Sequence, residues 1–131
     1  MIKLRILIID DMASMRLLIK HFLRRHEAVI IVGEASDGEE GLRKAQEYKP
    51  DVVILDVSLP DASGVEVARK IKSVLPNIFI YLCSAYELNE YMELKLDSPA
   101  DGFIEKSSMK PGLQAMIRKE LERKNIVGTQ S

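Results

Sequence analysis

Five short apolar runs constrain the fold of this chain more than any other feature. They read LRILII (4–9), AVIIV (28–32), VVIL (52–55), IFIYLC (78–83) and GFIE (102–105). Each is short for a helix. Each also lacks the polar alternation of a half-exposed strand, as expected for parallel strands buried on both faces. Between the runs, apolar residues recur at helical spacing. Met15, Leu18, Ile19, Phe22 and Leu23 form one stripe. Leu88, Tyr91, Met92 and Leu96 form another, with Leu94 off it, and Leu113, Met116, Ile117 and Leu121 form a third.

Helix starts are marked too. Asp37 with Glu40 and Ser63 with Glu66 are capping boxes, in which a short polar side chain caps the helix and an acid follows three residues on. Pro50, Pro76 and Pro99 each fall in a helix-to-strand connection, where the helix must stop. Strands alternating with helices predict an α/β doubly wound sandwich of five parallel strands, a flavodoxin-like (βα)5 arrangement in the order 2-1-3-4-5. At 131 residues the chain is sized for one domain, read as residues 1–125 with a frayed tail at 126–131.

Composition removes several function classes. Nineteen Lys+Arg against twenty Asp+Glu give no electrostatic case for direct nucleic-acid binding. No run approaches a membrane span, and the start MIKLRILIID meets acids too early for a signal peptide. The single Cys83 excludes an internal disulfide and reads as a small buried hydrophobe. His21 and His26 read as surface or packing residues. A cytoplasmic protein is expected.

The polar residues that interrupt this pattern fall at one edge. Asp10 and Asp11 follow the first strand, Asp56 the third, Ser84 the fourth and Lys106 the fifth. Carboxyl ends of strands are where open parallel sheets bind ligands, and the first and third strands meet at the topological switch point. Three carboxylates in one crevice repel one another unless a counter-charge is present. Mg²⁺, with Mn²⁺ as the alternative, takes oxygen ligands and supplies it. Lys106 and Ser84 suit a phosphoryl group, one as a charge and the other as a hydroxyl donor.

These residues resemble the receiver domain of two-component response regulators, of the chemotaxis-regulator kind. The likeness rests on Asp10-Asp11, on Asp56 followed by VSLPDASG, on Ser84-Ala85, and on Lys106 with Phe103 three before it. It runs from Ile2 to about Asn125. It implies that Asp56 is the phosphoacceptor and takes a phosphoryl group from a sensor histidine kinase or phosphotransfer protein. It implies Mg²⁺ on Asp11, Asp56 and the backbone carbonyl of Ser58, with Asp10 acting through water. Ser84, Ala85, Lys106 and Phe103 would bind the phosphoryl group and relay the switch. The surface that responds would be the helix after strand 4, strand 5 and the last helix, carrying Tyr86, Glu90, Lys110 and Gln114. Its partner would be an output domain, a target protein or a second copy in a phosphorylation-dependent homodimer. On this reading the chain is a switch and not an enzyme.

Three positions depart from the family pattern. Ser107 stands where Pro often follows the Lys, Phe103 where Tyr is common, and Ser63 where Asp usually precedes the Gly. Two other classes fit these residues less well. A haloacid-dehalogenase-like Mg²⁺ phosphatase needs an Asp two residues after its nucleophile, where this chain has Ser58. A flavodoxin-type redox protein needs a Ser/Thr/Gly-rich phosphate loop, where this chain has DDMAS. A degenerate receiver acting only as a binding module is the remaining alternative.

Overall fold

The computed structural model describes residues 2–85 and 98–130, with side chains described to Asn125. The elements run β1 (Leu4–Ile9), α1 (Ala13–Leu23), β2 (Val29–Ala35), α2 (Gly38–Tyr48), β3 (Val52–Asp56), α3 (Gly64–Val74), β4 (Phe79–Ser84), β5 (Gly102–Glu105), a 3₁₀ turn (Lys106–Ser108) and α4 (Met109–Gln130). All five strands are parallel and lie in the order β2-β1-β3-β4-β5. The predicted topology therefore holds. The stripe Leu88, Tyr91, Met92 and Leu96, with Tyr86 and Glu90, lies outside the described residues.

Successive residues of a strand face opposite sides, and β1 shows both sides filled. Leu4, Ile6 and Ile8 pack with Ile19 and Leu23 of α1 and Leu113, Met116 and Ile117 of α4. Leu7 and Ile9 pack with Ala45 of α2 and Val67, Ala68 and Ile71 of α3. Each large side chain buried this way is worth roughly 1.5–3 kcal/mol. This double burial explains why the strand runs lack alternation.

Both predicted N-caps form. Asp37 accepts the Glu40 N–H at 2.8 Å, and Ser63 Oγ accepts the Glu66 N–H at 3.2 Å. Helix α2 ends with Lys49 in the left-handed region, φ 46°, just before Pro50. Arg5 steadies that end by donating to the carbonyls of Tyr48 and Lys49, 2.8 Å each.

Three details differ from the sequence reading. Strand β2 continues through Gly33, Glu34 and Ala35, with a register shift opposite Ile6/Leu7 that leaves Val32 unpaired. As an edge strand it can carry Glu34 where an interior strand could not. Leu18 is 40% exposed, because the sheet buries only the Ile19/Leu23 side of the α1 stripe. Helix α4 continues to Gln130, through the residues expected as a tail, since no proline breaks it.

Candidate functional site

The loop after β1 places its acids without a conventional cap. Met12 is the N-cap of α1 and makes no side-chain cap bond, while Asp10 Oδ1 accepts the Met12 N–H at 2.9 Å. The carboxylates therefore do not serve α1 as ordinary N-caps. Asp10 is buried, Asp11 is exposed, and Asp56 is buried as the last residue of β3. Oxygen atoms of all three lie within 4.8 Å of one another.

Lys106 enters from the end of β5. Its Nζ lies 3.3 Å from Asp56 Oδ2 and 3.4 Å from Asp10 Oδ2. Asp56 Oδ1 accepts the Ser58 N–H at 3.1 Å. Asp10 Oδ2 is buried and within ion-pair reach of Lys106, yet it has no hydrogen-bond partner among the described residues. It is a carboxylate oxygen facing the site with a free acceptor direction. Gly64 lets α3 begin against this loop: a Cβ there would stand 2.3 Å from the Asp56 carbonyl oxygen.

The family model described as the response regulator receiver domain matches residues 6–118. The chain belongs to that family. The receiver is 29% identical over 123 residues to the response regulator protein VraR of Staphylococcus saprophyticus, covering 94% of this chain and 59% of VraR. It thus spans about three-fifths of the length of the curated relatives it matches. Among solved structures it resembles the response regulator domain of Thermotoga maritima CheB, with 29% identity, TM-score 0.80, and 92% and 97% of the two chains covered. It also resembles a two-component response regulator of the LuxR family from Aurantimonas, with 27% identity, TM-score 0.83, and coverages of 92% and 86%. Phosphorylation on an aspartate is the general property of the family.

The charge balance of the receiver site is incomplete. Burial pushes the Asp56 carboxyl up. The Ser58 N–H draws it back, the Asp10 charge pushes it further and Lys106 opposes; the net direction is up. Burial works against the Lys106 ammonium, but Asp56 and Asp10 outweigh it and raise its pKa. Three carboxylates against one ammonium leave two negative charges, which one divalent cation matches. The donor set is all oxygen; the buried Asp10 Oδ2 has no hydrogen-bond partner among the described residues, and Asp11 is open to solvent. Such a cluster could hold a metal ion.

The remaining sequence-predicted residues fall where the strand ends put them. Ser84 is buried at the end of β4, one residue beyond Cys83, which pairs with Asp56; Ala85 next to it is exposed. Phe103 is half-buried against the core on the α2/α3 side. Ser58 is exposed in the loop after β3. Ser107 lies in the 3₁₀ turn, and no cis peptide bond occurs among the described residues. Cys83 is buried, and burial raises its thiol to about 12. His21 lies on the surface beside Arg25 and Phe22.

Two contacts escaped the sequence reading. Asp61, in the loop after Asp56, accepts the N–H groups of Gly38 at 2.8 Å and Glu39 at 3.0 Å, so it ties that loop to the start of α2. Those backbone bonds hold its carboxyl below its ordinary value. Arg16 donates to the Asp10 carbonyl at 2.6 Å. Nothing in local periodicity signals either contact. An acid after a strand 3 loop and an arginine one turn into helix 1 read as surface charges.

Proposed function

We propose that this receiver accepts a phosphoryl group on Asp56 from a phosphohistidine of a sensor kinase or phosphotransfer protein, and that the modification switches its surface for a partner. The observation that supports this best is the buried Asp56 carboxylate, placed at a strand end between a lysine ammonium and two further acids. A carboxylate oxygen of Asp56 attacks phosphorus, a P–O bond forms, and the P–N bond breaks with its electron pair leaving on the imidazole nitrogen. Lys106 sits where it can meet charge on the transferring oxygens, and Ser84 offers a hydroxyl at the neighbouring strand end.

Asp10, Asp11, Asp56 and the Ser58 carbonyl would hold Mg²⁺, or Mn²⁺ in its place. When bound, that ion supplies charge neutralisation for the phosphoryl oxygens. The chain itself orients the acceptor: the Ser58 N–H fixes one Asp56 oxygen and Lys106 faces the other. Phosphate adds about one negative charge and three acceptor oxygens to Asp56. The relay then runs through Ser84 and Ala85 to Phe103, whose half-buried ring would move further inward. The responding face would be the helix after β4, β5 and α4. The kinase, the output partner and a homodimer through that face belong to this reading, as does a cytoplasmic setting. Among the described residues no helix is long and apolar enough to cross a membrane. The chain acts here as a modified binding module and not as an enzyme turning over a small substrate.

The test is chemical trapping. Incubation with acetyl phosphate and Mg²⁺, followed by borohydride reduction and peptide mapping, is expected to mark Asp56. Reduction at Asp10, Asp11 or Asp61 instead overturns the assignment.

A further inference from the structure

The Asp10 residue is held at almost every polar atom. Its N–H donates to the Ala35 carbonyl of β2 at 3.0 Å, and its Oδ1 accepts the Met12 N–H at 2.9 Å. Its carbonyl accepts from Arg16 Nη1 at 2.6 Å. Only Oδ2, the atom facing Lys106, lacks a hydrogen-bond partner among the described residues. The Arg16 contact has a geometric consequence. The Asp10 carbonyl and the Asp11 N–H belong to one planar peptide unit. A group that grips the carbonyl fixes that plane, and the plane sets where the carboxylates on either side leave the chain.

Arg16 is itself anchored. Its Nε pairs with Glu34 Oε1 of β2 at 3.2 Å, while Lys20, one turn on, pairs with Glu34 Oε2 at 2.8 Å. Lys44 of α2 donates to the Glu34 carbonyl. The Lys20 hydrogen bond, its charge and Arg16 together outweigh burial and hold the Glu34 carboxyl below its ordinary value. The Arg16 side chain is about one-fifth exposed, against about a third for Glu34. Two bonds in the plane of one fork, to two different elements, match guanidinium geometry and not that of an ammonium.

We infer that Arg16 is a positioning residue of the metal site: braced by Glu34, it locks the Asp10–Asp11 peptide so that both carboxylates face the cation. This rests on the metal binding proposed above. An ordinary surface ion pair would contribute at most about 1 kcal/mol of stability and nothing else. A positioning role predicts a loss in metal affinity that stability does not explain.

The full chain is titrated with MgCl₂ alone, and amide shifts at Asp10, Asp11 and Asp56 are followed by NMR. Outer-shell groups typically change metal affinity by about 10–100-fold. Arg16→Gln is expected to weaken Mg²⁺ binding by about tenfold, the lower end of that range. Glu34→Gln should give a smaller loss in the same direction, and Arg16→Lys should recover only part. Tyr81→Phe, far from the site and destabilising, should leave the Mg²⁺ affinity unchanged. A wild type that responds to Mg²⁺ with an Arg16→Gln variant of equal affinity overturns the inference alone. A wild type with no response at these amides overturns the metal reading and the inference together.

Discussion

Acids cluster at both edges of the sheet, and the two edges treat them in opposite ways. At the N-terminal edge each acid has its own cation. Asp51 meets Lys124 at 2.7 Å and the Arg5 N–H at 2.8 Å. Asp101 meets Lys72 at 2.8 Å and the Ile80 N–H at 2.8 Å. Glu120 accepts the Tyr81 hydroxyl at 2.5 Å and faces Arg123 at 3.4 Å, whose guanidinium stacks 3.9 Å above Phe79. At the C-terminal edge Asp10 and Asp56 share Lys106, and the exposed Asp11 lies beside them. A cavity of about 840 Å³ lies at the N-terminal edge, among the paired charges and away from the shared acids. Size is therefore a poor guide to chemistry in this molecule. Unbalanced charge marks the edge built to receive something, and one-to-one pairing marks the edge built to hold the fold together.

The largest effect should come from removing one of the shared acids. Asp56→Asn is expected to abolish phosphorylation completely while raising stability in metal-free buffer at pH 7, measured as a higher urea midpoint. The pH dependence follows from the direction of its shift. Its folded pKa stands above the unfolded 3.8, so the folded state holds the extra proton between the two values. Stability should fall as pH rises from 3.8 through the folded pKa, with the full penalty present above it. In Asp56→Asn that fall should flatten. A variant less stable than wild type without metal would break the contrast between the edges.

At the paired edge the same kind of change should hurt folding and spare function. Tyr81→Phe removes the one hydrogen-bond donor to Glu120 that the described residues supply, and Glu120 is only 2% exposed. Leaving a buried acceptor unsatisfied costs roughly 1–3 kcal/mol. Urea denaturation should show that loss, with phosphorylation by acetyl phosphate unchanged. A smaller effect sharpens the contrast. Mg²⁺ at ten times its dissociation constant should stabilise the wild type by about 1.4 kcal/mol through linkage. Asp11→Asn should keep the fold and lose that gain, read as the Mg²⁺-dependent shift in melting temperature. A full Mg²⁺ shift in Asp11→Asn would remove the exposed acid from the metal site.

Much of this was legible from sequence, for a physical reason. Parallel strands covered on both faces have no polar positions to spare, so the acids, the serine and the lysine that end them stand out. Capping boxes are equally local, and Asp37 and Ser63 behave as read. What stayed hidden depends on contacts between distant segments. The extension of β2 to Ala35 looks like a turn at Gly33-Glu34 until Glu34 is seen pairing with α1. Leu18 fits the α1 stripe by spacing, but spacing does not say which flank of a stripe meets the sheet. Arg16 and Asp61 act through backbone groups, and backbone groups leave no mark in a sequence.

The chain's single cysteine sits opposite Asp56 in the β3–β4 register. At 1% exposure, and with its thiol pushed to about 12, Cys83 is out of reach of a thiol reagent while β4 stays in place. Labelling must wait for the strand to lift, so the rate of modification is a clock for local opening of the strand that carries Ser84. One label per molecule, with no competing site, makes that clock unambiguous. It times the breathing of β4 from within, without any substitution near the acids.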